Sequence, residues 1–250
     1  MTVDAFDTAR LRAAVLTAWR SSPARLREDA NTEEDHARGY YRDRVVVELA
    51  QNAADAATRA GVPGRLLLRL DHADDGAAVL VAANTGAPLD AAGVASLSSM
   101  RASAKRPEAG LAHTGVVGRF GVGFAAVRAV SDEVDVLSTS GGVRFSLADT
   151  RSALTAAAQA LPELAQEVRR RDGSLPALRL PWPAEGRPPL GYDTAVVLHL
   201  RDEVAADEVR GLLDEVGDAL LIALPGLVEV LVEGPDAAPR RIADVTDRWV

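Results

Sequence analysis

Between Val45 and Ala60 apolar residues recur with a helical period: Val45, Val46, Leu49, Ala53, Ala56 and Ala60 fall on one face. That is the pattern of a helix packed on a core. The helix is expected to run from about Tyr40 to Arg59 and to stop at Gly61, with Pro63 beyond it. Beside the apolar stripe runs a polar one. At 3.6 residues per turn, Glu48, Asn52 and Asp55 lie within about 60° of one another. A carboxylate, an amide and a second carboxylate in line suit a metal-phosphate site. They also suit the solvated side of an ordinary amphipathic helix, and the stretch alone does not separate the two.

The pattern elsewhere predicts two short helices over residues 1–38, the first capped by Asp7 or Thr8 and the second started by Ser22-Pro23. Their charged end, 27–38, reads as a solvated face or as a docking arm for a second copy. Arg65 to Asp71 and Ala77 to Ala83 read as strands joined by a turn with Asp75-Gly76 at its tip. The second strand is apolar enough to be buried on both faces and delivers the chain to Asn84-Thr85-Gly86-Ala87-Pro88-Leu89, a polar turn suited to reading a ligand. Asp90 caps a short helix over 91–99. Val134 to Ser140 and Val143 to Ala148 form a hairpin around Gly141-Gly142. Residues 151–172 are helical with a second start at Pro162, and 173–191, rich in Pro and Gly, are a loop. Thr194 to Leu200 is a strand, Ala206 to Leu224 one amphipathic helix, and Leu227 to Val232 and Arg240 to Val245 the last strands. This order predicts an α+β fold, a two-layer sandwich with helices covering one face of a mixed, mostly antiparallel sheet.

Two stretches break the periodicity. Residues 100–117 are polar, Gly-containing and locally basic, with Arg101, Ser103, Lys105 and Arg106; a loop of this length is a functional lid or a disordered segment. Next, Gly118-Arg119-Phe120-Gly121-Val122-Gly123-Phe124 leads into an apolar helix from Phe124 to Val130. A glycine-rich turn opening a helix presents free N–H groups and the positive end of the helix dipole, a phosphate cradle. A plain tight turn has the same composition.

Composition narrows the classes. The 250 residues are 48% hydrophobic and 26% charged, with net charge −8. That is enough for one large core, and the acidic balance gives no support to general nucleic-acid binding. Without cysteine there are no disulfides and no thiolate zinc site. The four histidines, His36, His72, His113 and His199, show no metal-ligand spacing. No apolar run reaches the roughly 18 residues of a membrane helix and no secretory signal precedes the first helix, so the protein reads as cytoplasmic with no membrane partner. Lys105 is the only lysine among many arginines. The chain divides into an N-terminal helical segment, 1–40, and a main domain, 41–250, and ends as if cut from a longer protein.

Four segments in fixed order resemble the GHKL ATPase superfamily (Bergerat ATP-binding fold). The likeness is to the N-terminal domains of the ninety-kilodalton heat-shock chaperones and to sacsin-type ATPase-like domains. Glu48-Leu49-Gln51-Asn52-Asp55-Ala56 matches the family's E-L-x-x-N-x-x-D-A helix. Gly118 to Phe124 matches its G-x-F-G-V-G-F lid hinge, and Thr194-Ala195-Val196-Val197-Leu198-His199-Leu200 its late T-x-[V/I]-x-L-x-L strand. The match spans roughly 45–202. It implies a site for ATP and Mg²⁺ in which Glu48 activates the attacking water and Asn52 ligates the metal. Asp55 would support that shell or the ribose side. Gly118, Arg119, Phe120, Gly121, Val122, Gly123 and Phe124 would hold the phosphates, and Thr194 would stand beside the adenine. Ser103 falls at the family's lid serine, while Lys105 and Arg101 either reach the phosphates on closure or stay exposed.

The D-x-G-x-G motif departs from the family. It reads Asn84-Thr85-Gly86-Ala87-Pro88, so an amide stands where a carboxylate would accept from adenine, Gly86 is kept, and Pro88 replaces the second glycine. The neutral amide makes no charge-assisted bond and leaves a guanine preference open. The functions implied are an ATP-driven, chaperone-like switch with slow hydrolysis, with a nucleotide-dependent homodimer and a protein client as partners. The alternatives are a non-hydrolysing nucleotide sensor or interaction module and a histidine-kinase-type catalytic domain. The last lacks a phosphoacceptor-histidine helix.

Overall fold

The computed structural model describes residues 3–38, 44–73, 76–99, 123–235 and 237–245. The lid stretch, with Arg101, Ser103 and Lys105, and the hinge residues Gly118 to Val122 lie outside the described residues. The centre is an eight-stranded sheet: β1 (Gly64–His72), β2 (Ala78–Asn84), β3 (Ser131–Ser138), β4 (Gly141–Ser146), β5 (Pro181–Ala184), β6 (Thr194–Leu200), β7 (Leu227–Gly234) and β8 (Ala237–Ala243). Their spatial order is β5-β4-β3-β6-β2-β1-β7-β8, antiparallel throughout except for the β1–β7 pair. The α+β two-layer sandwich expected from the sequence is the fold observed.

Alternate residues of the central strands face the helices and form the main core. Leu66, Leu68, Leu80, Val134, Leu198 and Val230 are all at most 1% exposed. Helix α3 (Val45–Ala60) lies on them through its apolar stripe, with Val45, Val46, Leu49, Ala53 and Ala56 buried, and it ends at Gly61 in the left-handed region, φ 65°. Helices α1 (Thr8–Ser21) and α2 (Pro23–Arg38) build a second apolar cluster with α5 (Leu147–Ala158) and α6 (Pro162–Arg170), around Trp19, Leu26, Leu154 and Leu164. A short helix, α4 (Ala91–Ser99), lies between β2 and the undescribed stretch.

Several sequence expectations need correction. The first helix is capped neither by Asp7, whose side chain makes no capping bond, nor by Thr8. Asp4 accepts the Thr8 N–H at 2.8 Å and the Ala9 N–H at 3.2 Å. The charged run 27–38 is not wholly a solvated face, because Asp29 and Glu33 are buried. The segment after the glycine hinge is a 3₁₀ turn, Gly123–Ala129, rather than an α-helix. Helix 206–224 is two helices, α7 (Glu203–Asp214) and α8 (Asp218–Ala223). Asp202 caps the start of α7, and Arg240 from β8 closes its end by donating to the carbonyls of Val216 at 2.8 Å and Leu213 at 2.7 Å. The loop 173–191 contains β5. Its two prolines hid it from a strand reading, but they fit an edge strand, which has one unpaired side. Arg12 of α1 holds β5 by donating to the Pro181 carbonyl and lying 5.3 Å from the Trp182 ring centroid.

On the helix-free face, Asp135 accepts from Arg144 Nε at 2.9 Å and meets His199 Nε2 at 3.1 Å. That hydrogen bond raises the His199 pKa from its ordinary 6.5, against the effect of burial. Burial pushes Asp135 up, but the bonds to His199 and Arg144 outweigh it and hold the carboxyl below the usual range. His199 therefore contributes stability that is full below its unfolded pKa and is lost as pH rises through the raised folded value. Because the ring is partly exposed, about 0.5 kcal/mol is expected from this source between pH 6 and 8.5. Urea melts at the two pH values should show that difference shrinking in Asp135→Asn.

Candidate functional site

The register of the sheet assembles the site. Asn84 at the end of β2 pairs with Thr194 at the start of β6, and Thr194 pairs with Ser138 at the end of β3. Paired residues point to the same face, so three polar side chains form a row across neighbouring strands. The next row inward is apolar: Ala82, Val196 and Val136. Asn84, Thr194 and Ser138 are all less than 9% exposed. The inner face of the sheet thus turns polar only at its last row, under α3.

A pocket opens over this row. Leu49, Asn52 and Ala56 of α3 form one wall, Asn84, Thr194 and Val196 the floor, and Leu89, Leu97 and Phe124 the far side. Apolar walls around a few fixed polar groups are the usual composition of a small-molecule site. The polar groups have defined roles. One N–H of the Asn84 amide donates to the Thr85 carbonyl at 3.1 Å, which leaves its acceptor oxygen and its second N–H for a ligand. Thr194 Oγ1 stands 3.2 Å from Ser138 Oγ, which accepts the Leu89 N–H at 3.0 Å. Asn52 Nδ2 is buried and, among the described residues, has no hydrogen-bond partner. A buried amide N–H without a partner is an unmet demand for an acceptor, and the oxygen of the same side chain is the atom able to meet a cation.

Gly86 fixes the turn beyond Asn84. Its φ of 131° is open only to glycine, and a Cβ there would stand 2.5 Å from the backbone carbon of Ala56. The Gly86 N–H reaches Asp193 Oδ2 at 2.9 Å, and the Ala87 N–H reaches the Ala56 carbonyl at 2.9 Å. The turn is therefore stitched to both β6 and α3. Gly86 acts as a close-contact point behind the pocket and is not one of its lining residues.

Of the polar stripe on α3, Asn52 lines the pocket and Asp55 is exposed outside it. Glu48 is half-buried, 3.8 Å from Arg44, and its Oε2 occupies the position a Cβ at Gly123 would take. The structure thus brings Glu48 together with the last hinge glycine, at the head of the turn Gly123–Ala129. Phe124 then plugs into the core edge-on to Phe145, with centroids 6.5 Å apart. Ser138 and Asp193 support the floor but carry no sequence signal of their own. Only the register that sets them beside Thr194 and Gly86 gives them a role.

Among the described residues no group of three or more His, Cys, Asp or Glu is set to hold a metal ion, and no helix is long and apolar enough to cross a membrane. No family model matches the chain. The chaperone protein HtpG of Mesorhizobium japonicum is 31% identical over 163 residues, which is 64% of this chain. The chain spans about a fifth of that relative's length, 22%. This is a distant relation to heat-shock chaperones, carried by a part of the relative.

Proposed function

We propose that the domain binds ATP with Mg²⁺ in this pocket and hydrolyses it slowly, as the nucleotide-driven part of a chaperone-like switch. The observation that carries the reading is the pocket end itself: an acceptor oxygen on Asn84 and a hydroxyl on Thr194 at the floor, with the orphaned Asn52 amide on the wall. An adenine amino group would donate to Asn84, whereas the guanine carbonyl at the same position would face it as a second acceptor. In this reading the Asn84 oxygen accepts from the adenine amino group, and the second Asn84 N–H, beyond the one given to Thr85, stays available to a ring acceptor.

In this reading the phosphates would be met by the hinge from Gly118 to Phe124, Arg119 included, and by the basic stretch 100–117 with Ser103 and Lys105. With no metal cage among the described residues, the protein would meet Mg²⁺ on the phosphates, with the Asn52 oxygen as its ligand, in keeping with the ion's preference for few protein oxygens. Bound there, the ion would neutralise phosphate charge. Glu48, held beside Gly123, would accept the proton of the attacking water. The oxygen of that water would bond to the γ-phosphorus while the bridging P–O bond breaks toward ADP, giving ADP and phosphate. Closure of 100–117 over the nucleotide, pairing of two copies in that state and a protein client belong to the same reading.

A second reading is a nucleotide-sensing module that does not hydrolyse. It draws on the lining: none of the described lining residues carries a charge, so cation help in the transition state must come from elsewhere. Titration with ATP, ADP and GTP, with and without Mg²⁺, followed by phosphate release, tests both. Binding of ATP at least about tenfold tighter than GTP is expected, since an unpaired polar contact costs about 1–3 kcal/mol. Phosphate release lost in Glu48→Gln supports hydrolysis, and none in either protein supports the sensor. No binding of any nucleotide rejects both.

A further inference from the structure

The N-terminal helices share no motif with the pocket, yet α2 lies along the turn Gly123–Ala129 that carries Gly123 to Glu48. The contact is ionic and buried. Glu33 of α2, 3% exposed, stands 3.8 Å from Arg128 Nε of the turn and 3.7 Å from Arg179 Nε. Its oxygens accept the Leu178 N–H at 3.0 and 3.3 Å. Asp29, one turn earlier on α2, approaches Arg179 at 3.6 Å and Arg25 at 3.4 Å, and accepts the Trp19 ring N–H at 2.8 Å.

From the other side the turn is held by Arg201, just past β6. It donates to the carbonyls of Arg128 at 2.8 Å and Ala129 at 3.1 Å, and pairs with Asp132 at 2.9 Å. Arg128 itself donates to the Ser131 carbonyl at 2.7 Å and to Asp132 at 2.5 Å. The turn therefore has hydrogen bonds at its C-terminal end, and at that same end Arg128 takes a longer, ionic contact from Glu33 of α2.

That hold is poorly suited to stability alone. Two nitrogens of the Arg179 guanidinium, Nε and Nη1, are buried with no hydrogen-bond partner among the described residues, and buried ion pairs are weak sources of stability. A group at this junction does affect where the turn sits. Because Gly123 heads the turn and leaves no room for a side chain beside Glu48, a small shift of the turn moves the carboxylate or opens the gap.

We propose that Glu33 is a positioning residue for the nucleotide site, holding the turn Gly123–Ala129 against α3 through Arg128 so that Gly123 stays closed on Glu48. This rests on the reading of the pocket given under Proposed function. The N-terminal helical segment is then part of the site's machinery. The hold depends on the charge of Glu33. Burial pushes its carboxyl up to about 7, and Asp29 adds to that, while Arg128, Arg179 and the Leu178 N–H oppose it. Ionised Glu33 attracts Arg128, and protonated Glu33 does not. The turn is held above neutral pH and released below it, while fold stability has the opposite slope, falling as pH rises from 4.5 toward 7.

The test compares wild type, Glu33→Gln and, as a control, Arg27→Ala. The control removes the α2–α6 pair of Arg27 with Glu167 without touching the turn. Two readouts are taken from pH 6 to 8: Mg-ATP affinity, and hydrogen exchange of the 123–130 amides without nucleotide. Wild-type affinity is expected to exceed that of Glu33→Gln by about three- to tenfold at pH 8 and to converge with it at pH 6. The nucleotide's own titration is common to both and cancels in the ratio. The turn should exchange faster in Glu33→Gln than in wild type at pH 8 only, with Arg27→Ala like wild type. A ratio flat across pH, or equal exchange in the turn, overturns the proposal. If no protein binds nucleotide, the functional reading falls and the exchange experiment still decides whether Glu33 holds the turn. Should Glu33→Gln not fold, the wild-type exchange profile across pH 7 decides it alone.

Discussion

Asn52→Leu is expected to make the domain more stable and, at the same time, to weaken its nucleotide binding. The side chains are similar in size, so the substitution opens no cavity. It removes a buried amide nitrogen with no partner among the described residues, relieving part of a cost of about 1–3 kcal/mol, and leucine is the better helix former by a few tenths of a kcal/mol. A gain of about 1 kcal/mol should appear as a higher denaturant midpoint with an unchanged slope. The same amide is the proposed protein ligand for the metal on the phosphates, so Mg-ATP affinity should fall by at least about tenfold. Opposite signs in the two measurements mark a residue kept for a ligand. An Asn52 that merely filled space would lose little affinity, and that outcome would sink the site assignment.

The largest loss of stability is expected from Gly86→Ala. Two independent penalties meet at this position. At φ 131° a side chain is strained by about 1–3 kcal/mol. The added Cβ would also press on the backbone of α3, 2.5 Å from the Ala56 carbon and 2.6 Å from the Ala57 nitrogen. Backbone atoms in mid-helix cannot rotate away as a side chain can, so overpacking adds about 1–3 kcal/mol. Together a loss of about 2–6 kcal/mol is expected, measured by thermal or urea unfolding. Gly76, also at positive φ but with nothing within 4 Å of its Cβ position, is the control. Alanine there meets only the conformational cost.

These two residues show what the sequence makes legible. Asn52 could be read because helical periodicity is local, as the register of Glu48, Asn52 and Asp55 follows from 3.6 residues per turn alone. The same arithmetic could not say which of the three faces the pocket, since that depends on the roll of α3 over the sheet, and Asp55 came out exposed. The apolar runs place β1, β2, β6 and β7 to within two residues, whereas the more polar β3 and β8 each begin three residues before the expected start. β5 was not, because Pro181 and Pro183 mask a strand whose only support is its partner β4. The polar row was half visible. Asn84 and Thr194 stand out in their motifs, but Ser138 joins them only through the β3–β6 register. Glu33 and Asp29 are hidden by composition, for a charged run looks solvated until its arginine partners arrive from 95 or more residues away in Arg128 and Arg179.

The two outermost strands of the sheet, β5 and β8, carry Pro181, Pro183 and Pro239. Each proline withholds a backbone donor that an incoming strand would need, and β5 is only four residues long. Neither rim therefore offers a ready template for continuing the sheet into another polypeptide. Two copies of this domain should not fuse into one extended sheet, and a protein client should not be gripped by strand addition at these rims. Any association would have to be made by side chains of the helices and loops, where it can be reversed without breaking a hydrogen-bonded ladder.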